Sequence, residues 1–151
     1  DLVHKIENLS EEIRQLRKEI EHLNGRLLNS SLDSIMAGAA DVKGIKIVAA
    51  KLDDMDMNAL RNASDSIRNR MGSCVVILAS SKDQKVNLIV SATKDAVARG
   101  IHSGQIIKDA AAACGGGGGG RPDMAQAGGK NPAGIDEALR IAREKSADMI
   151  K

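Results

Sequence analysis

A regular apolar stripe near the N-terminus constrains the fold of this chain more than any other feature of its sequence. Leucine and isoleucine recur at alternating intervals of four and three residues, at Leu2, Ile6, Leu9, Ile13, Leu16, Ile20, Leu23 and Leu27. This heptad pattern predicts a long amphipathic helix over residues 1–37 that carries the stripe along one side. Because one helix cannot bury such a stripe alone, we expect a coiled-coil partner for it.

The partner of this helix is either a second copy of the chain, giving a homodimer, or another helix of a longer parent protein. Glu12 at a g position and Arg17 at the following e position would attract each other across a parallel pair. The pattern nevertheless leaves parallel and antiparallel pairing open. The stripe is already in phase at Leu2, with no capping residue or initiator methionine before it, so we expect the chain to be a segment of a longer protein.

After Gly38 the sequence changes to alternating strand and helix patterns. Apolar runs predict three strands, at residues 44–50, 74–79 and 86–92, and the last two form a hairpin around a polar turn. Apolar periodicity predicts three helices, which begin after Asp56, at a Ser103 cap and near Gly134. Together these elements predict a small globular α/β domain with a mixed sheet over residues 38–151.

The complete absence of phenylalanine, tyrosine and tryptophan restricts both the core and the ways in which the chain binds other molecules. The core must be built from isoleucine, leucine, valine, methionine and alanine. Proteins usually hold single-stranded nucleic acids by stacking bases on aromatic rings, which this chain lacks. Any nucleic-acid binding must therefore use main-chain contacts, shape and arginine planes.

The charge balance permits an anionic partner without requiring one. Residues 38–151 hold 17 Lys/Arg and 13 Asp/Glu, whereas residues 1–37 hold five and seven. A mildly basic domain suits a nucleic acid, although a merely solvated surface has a similar composition.

The sequence predicts neither a membrane-spanning segment nor a metal site. The chain has no apolar run of membrane-spanning length, so we expect no membrane partner. Cys74 and Cys114 lack a CxxC spacing, which favours free thiols in a reducing cytoplasm. His4, His22 and His102 are isolated in the sequence, so we expect no metal site.

Six consecutive glycines form the most unusual segment of the chain, at Gly115, Gly116, Gly117, Gly118, Gly119 and Gly120. A helix is predicted before them and Arg-Pro follows them, whereas a dinucleotide-binding turn needs a strand before and a helix after. Lys130 follows a glycine but precedes Asn-Pro, which excludes a Walker loop. We therefore expect an irregular glycine loop, followed by an irregular segment or short strand up to Gly129.

Such a segment can bind anions through its main chain. Without Cβ atoms the backbone can approach a surface closely, and its N–H groups can hold phosphate or carboxylate oxygens. Arg121 and Lys130, at the two ends of the segment, would add positive charge. A flexible tether is the alternative, but the residues between Arg121 and Lys130 are not typical of linkers.

The stretch GGGGGGRPDMAQAGGK, followed by the helical EALRIAREK, resembles the extreme C-terminus of alanyl-tRNA synthetases. It is similar, more loosely, to the accessory domain of DHH-family phosphoesterases. The first resemblance implies a module that binds the outer corner of tRNA, dimerises through its helical part, and supports aminoacylation and editing on one tRNA. It also implies that the parent is an ATP-dependent ligase whose ATP, magnesium and zinc sites lie in other domains, with no catalytic residue or cofactor in this segment.

The same resemblance makes the six glycines, Arg121 and Lys130 the expected RNA contacts. Further basic residues would extend that surface, namely Lys82, Lys85, Lys94, Arg99 and Lys108. Two other interpretations stay open at this point. The domain would be a nucleotide-binding accessory domain of a DHH-type phosphoesterase, or the chain would be a purely structural oligomerisation module.

Overall fold

A computed structural model describes the backbone of all 151 residues and the side chains of all except Leu28 and Asn29. The chain divides into two compact units, residues 1–34 and 35–151. The first unit is helical and belongs to α1, which spans Leu2–Ala37. The expected long N-terminal helix is thus confirmed. Every member of its apolar stripe from Leu2 to Leu27 is more than half exposed.

The second unit is an α/β domain with a six-stranded mixed sheet, as the sequence predicts. Its strands are β1 Ala40–Val42, β2 Ile45–Asp53, β3 Cys74–Lys82, β4 Lys85–Ala92, β5 Gly117–Gly120 and β6 Met124–Gly129. Its helices are α2 Met57–Met71, α3 Lys94–Ala98, α4 Ser103–Ala113 and α5 Ile135–Met149, with a 3-10 turn at Pro132–Gly134. The strand order is β1-β2-β3-β4-β6-β5. Only β2 and β3 are parallel, because α2 connects them; all other neighbours are antiparallel.

The two faces of this sheet are covered by different helices. Val75, Ile77, Leu88 and Val90 face the main core, which α4 and α5 close. Alternate residues of the same strands point to the opposite face, where α2 packs on β3 and β4. On that face the buried hydroxyls of Ser64 in α2 and Ser91 in β4 are hydrogen bonded to each other. The centre of the sheet is therefore buried on both sides, and function must lie at an edge or end.

Outside the glycine segment, the structure differs from the sequence expectations at two short elements and one cap. Strand β1 and helix α3 were not expected, and each has five residues or fewer. Ser103 is the first residue of α4 and not its cap, since the Nδ1 atom of His102 accepts the Gln105 N–H at 3.3 Å. An imidazole nitrogen thus fulfils the role for which a serine hydroxyl was predicted.

Candidate nucleic-acid interface

The glycine segment forms an antiparallel hairpin at the edge of the sheet, where a loop was expected. Residues Gly117–Gly120 form β5, which pairs with β6 in a register that places Gly117 opposite Gly128 and Gly120 opposite Ala125. Glycine is disfavoured in strands, so its composition alone indicated a loop. Pairing with β6 overrides that preference. Because β5 is the last strand of the sheet, its other side has no strand neighbour.

Close packing explains every second glycine of this segment. A methyl group added at Gly118 would lie 2.5 Å from the Cβ of Ala127, and one added at Gly120 would lie 2.5 Å from the Met124 carbonyl oxygen. Both distances are far below van der Waals contact. A side chain at Gly116 would collide with the Gly128–Gly129 backbone in the same way. These three glycines are needed because β5 lies so close to β6.

Gly117 and Gly119 have no such packing role. A Cβ atom at either position would have nothing within 4 Å, and neither residue has a positive φ. The register pairs Gly119 with Gln126, and Gln126 with Ile89 of β4, so these residues point to the face of the sheet that carries α2. On that face β5 therefore presents a strip without side chains, in which Gly117 is exposed and Gly119 is half-buried.

An open pocket of about 210 Å³ lies over this strip. Its lining includes Gly119, Gln126 and Met124 from the hairpin, with Arg121 from the turn between the two strands. Arg61 of α2 contributes the remaining charged side chain. Two guanidinium groups beside an exposed glycine backbone form an anion-binding arrangement.

Positive charge marks both ends of the hairpin, as the sequence predicts. Arg121 follows β5 directly and Lys130 follows β6, and both are exposed. The nearest carboxylate recorded for Arg121 is that of Asp123, with 3.6 Å between nitrogen and oxygen. Because an exposed pair at this separation is weak, Arg121 remains available to a ligand.

Comparisons with known proteins identify the domain that carries this hairpin. The model of the DHHA1 domain family matches residues 44–148, which is more than half of the chain. This chain belongs to the DHHA1 domain family. It is 56% identical over 142 residues to an alanine–tRNA ligase of Acetivibrio thermocellus, a match that covers 94% of this chain but only 16% of that relative. The chain thus spans about a sixth of the length of that enzyme.

Solved structures agree with this assignment. The C-Ala domain of Aquifex aeolicus alanyl-tRNA synthetase is 29% identical, with a TM-score of 0.66, and the match covers 72% of this chain and 97% of that domain. The DHH domain of a protein assigned to a ribosomal protein family shares the fold alone, with a TM-score of 0.56 and 13% identity over 89% of this chain and 33% of that one. The resemblance of the glycine segment to alanyl-tRNA synthetases is thus confirmed.

The DHHA1 domain distributes the other predicted RNA contacts unevenly around the hairpin. Lys94 follows β4 near the Arg121 end, where the Ala92 N–H donates to the Asp123 carbonyl oxygen at 2.9 Å. Lys82 and Lys85 face each other at the β3–β4 turn, and the pairing of Val86 with Gly129 places this turn at the Lys130 end. Contact between RNA and these three lysines stays a prediction.

Arg99 and Lys108, also predicted as RNA contacts, lie outside the pocket. The Arg99 guanidinium donates to the carbonyl oxygens of Lys151 at 2.8 Å and Lys43 at 3.1 Å. Lys43 lies in the β1–β2 turn, at the edge of the sheet opposite to β5. Lys108 is exposed on α4, which covers the opposite face of the hairpin from α2. Arg99 and Lys108 therefore do not line the pocket with Arg121.

Sequence reasoning missed Arg61. It lies on the exposed side of α2, far from the glycine segment in sequence, and no motif includes it. Its only sequence signal is its position next to buried Leu60, which places it on the polar side of an amphipathic helix. The sheet topology brings it to the pocket.

The cysteines of the DHHA1 domain are buried, and burial raises the pKa of both thiols above the ordinary value. At Cys74 the nearby Arg68 charge opposes this increase in the pKa without cancelling it. Among the side chains that the structure describes, no group of three or more His, Cys, Asp and Glu is arranged to hold a metal ion. Within the same described residues, no helix combines the length and apolar character needed to cross a bilayer.

Proposed function

We propose that this DHHA1 domain binds tRNA at its outer corner, where the D and T loops meet, as the C-terminal module of an alanine–tRNA ligase. The observation that carries the proposal is the exposed glycine hairpin with Arg121 and Lys130 at its ends, on a chain 56% identical to such an enzyme. In this proposal the module holds one tRNA for both aminoacylation and editing. Those reactions, with ATP, magnesium and zinc, belong to other parts of a cytoplasmic parent enzyme.

The geometry suits a folded RNA better than a single strand. The chain has no aromatic ring on which to stack separate bases. A folded corner instead presents phosphates and 2′-hydroxyl groups at fixed positions, which main-chain groups and guanidinium groups bind by shape. The flat backbone of β5 allows an RNA surface to come closer than any strand with side chains would.

Dimerisation through α1 is the second part of the proposal. The stripe from Ile6 to Leu27 exposes more than half of each large apolar side chain, which is unfavourable in water. A second α1 would bury it by knobs-into-holes packing. A dimer would place two RNA-binding domains in one particle.

The test of tRNA binding is a fluorescence anisotropy titration of a labelled alanine tRNA transcript with the full chain. We expect binding at low salt that weakens steeply as salt rises, because phosphate contacts release counterions. A hairpin RNA that contains only the acceptor stem is the control, and it should bind much more weakly. Arg121→Glu with Lys130→Glu should remove most of the affinity. Equal affinity for both RNAs would reject corner recognition, and no affinity for either at low salt would reject the function.

A further inference from the structure

We propose that Arg61 is a further RNA-binding residue, which holds a phosphate group on the α2 side of the glycine hairpin. The RNA backbone then crosses the open strip at Gly117 and Gly119 and not the opposite face of the hairpin. This inference rests on the proposed tRNA function. It adds two points to that function. One is an RNA-binding residue outside the glycine segment, and the other is the face of the sheet on which the RNA lies.

The pocket brings Arg61 and Arg121 together from distant parts of the sequence. Both line the same open cavity of about 210 Å³, with Gly119 and Gln126 between them. A guanidinium group binds a phosphate through two parallel hydrogen bonds, and two such groups suit neighbouring phosphates of a polynucleotide. The Gln126 side chain offers an amide donor and acceptor, which is the complement of a ribose 2′-hydroxyl.

The guanidinium of Arg61 is exposed and available to a ligand, as is that of Arg143 in α5, but of these two only Arg61 lines the pocket. Among the side chains that the structure describes, Arg61 has no ion-pair or hydrogen-bond partner, and it is exposed. By contrast, Arg68 of the same helix is paired with Asp65, and Arg140 of α5 is held by two glutamates. Unlike the guanidinium groups of Arg68 and Arg140, that of Arg61 can bind a phosphate without breaking an ion pair of the domain.

The opposite face of the hairpin is closed to a ligand. Ala125 and Ala127 are buried there in the core under α4. A side chain at Gly104, in the first turn of α4, would lie only 2.7 Å from the Gly120 carbonyl oxygen. Gly117, Gly119 and Arg61 lie on the other face, so a large partner can reach the hairpin from the α2 side and along the free edge of β5.

The test compares equal charge changes on the two faces. Arg61→Gln, Arg61→Glu and the control Arg143→Glu on α5 are titrated, as full chains, against the same labelled tRNA transcript over a range of salt concentrations. We expect Arg61→Gln to weaken binding roughly fivefold to tenfold and to reduce the salt slope by about one, as the loss of one phosphate contact predicts. Arg61→Glu should weaken binding further. Urea unfolding should be unchanged, since Arg61 has no partner to lose.

The outcomes separate this inference from the function on which it rests. If wild type binds tRNA but Arg143→Glu weakens binding as much as Arg61→Glu, only the overall charge matters and the proposed Arg61 contact is overturned. If Arg61→Gln binds with wild-type affinity and salt slope, the inference fails while the tRNA function stands. If wild type itself does not bind, the function fails first. A selective loss in the Arg61 variants supports the proposal.

Discussion

At the scale of single residues, the six glycines divide into two groups with different physical roles. Gly116, Gly118 and Gly120 lack side chains because the neighbouring strand leaves no room for them. Gly117 and Gly119 have room for a side chain and no positive φ that would require glycine. Their conformational freedom in the unfolded chain is a cost to stability that folding does not recover. The proposed RNA surface, lying against this backbone, would account for their presence.

This division predicts opposite results for two matched substitutions. Gly118→Ala should destabilise the domain by about 1–3 kcal/mol or more, because the new methyl group overlaps Ala127. Gly119→Ala should raise the unfolding free energy by up to about 1 kcal/mol, because its methyl group meets open space and alanine has less freedom to lose on folding. Urea unfolding followed by circular dichroism measures both. Equal destabilisation by the two variants would contradict the packing described for β5.

The buried thiols give a second prediction at this scale. Burial raises the pKa of Cys74 and of Cys114, so at a given pH each has a smaller thiolate fraction than an exposed cysteine. Because the thiolate is the nucleophile, alkylation of the folded chain by iodoacetamide should be slow at neutral pH and should rise only at higher pH than for a free thiol. The same reaction in denaturant is the control. Fast labelling of the folded protein near pH 7 would show that the thiols are accessible.

At the scale of elements, the position of α2 determines whether Arg61 reaches the hairpin. The helix begins after Asp56, whose carboxylate accepts the Ala59 N–H at 2.8 Å, and it is anchored on the sheet by Leu60, Ala63, Ser64 and Ile67. Asp56→Ala removes the cap and should lower the unfolding free energy by about 0.5–2 kcal/mol. Thermal or urea unfolding measures this, and Asp56→Asn, which keeps the cap, is the control. Equal stability of Asp56→Ala and wild type would contradict the role of the cap.

The predictability of each element follows from its length and its burial. The apolar runs in β3 and β4 and the periodicity of α2 and α5 are long enough to be recognised, because these elements pack on both sides of one sheet. Strand β1 and helix α3 are too short to carry a periodic signal. Strand β5 has no side chains, so its only reason to be a strand is its pairing with β6, which no local pattern reveals.

The candidate site was predictable only where it is continuous in sequence. Arg121 and Lys130 flank the glycine segment, so their placement at the ends of the hairpin followed from the sequence alone. Arg61 lines the pocket with Arg121 because α2 packs on β3 and β4, and β4 is the neighbour of β6 in the sheet. Arg99 donates to main-chain oxygens of Lys151 and Lys43, and its predicted contact with RNA stays a prediction.

Helix α1 gives a prediction about its proposed partner. Ile13→Asp with Ile20→Asp places charges in the apolar stripe and should convert a dimer to a monomer in sedimentation. If the pair is parallel, Glu12 lies beside Arg17 of the second copy, so Glu12→Arg should weaken the dimer and the added Arg17→Glu should restore it. A wild-type monomer with an intact helix would exclude self-pairing in this chain. Failure of the restoring change would favour antiparallel helices.

At the scale of the whole molecule, the charge distribution fits a chain in which residues 38–151 bind RNA and α1 forms the dimer. The formal charge of the complete chain is only +2, yet residues 38–151 hold the excess of basic side chains and residues 1–37 hold an excess of acidic ones. In the proposed function, the basic residues of the domain would steer it towards RNA, while the acidic helix would have little attraction for phosphates. Binding is therefore expected to concentrate at the β5 edge of the DHHA1 domain.

The most direct measurement of this account is an NMR titration of ¹⁵N-labelled full chain with unlabelled tRNA transcript. The amide signals of Gly117 to Gly120, with those of Arg121 and Lys130, should shift or broaden at the lowest RNA concentrations. Signals from the β1 edge and from α5 should change least. Early changes centred on β1 or α5, with the four glycine amides unaffected, would contradict the claim that this glycine strand lies against the RNA.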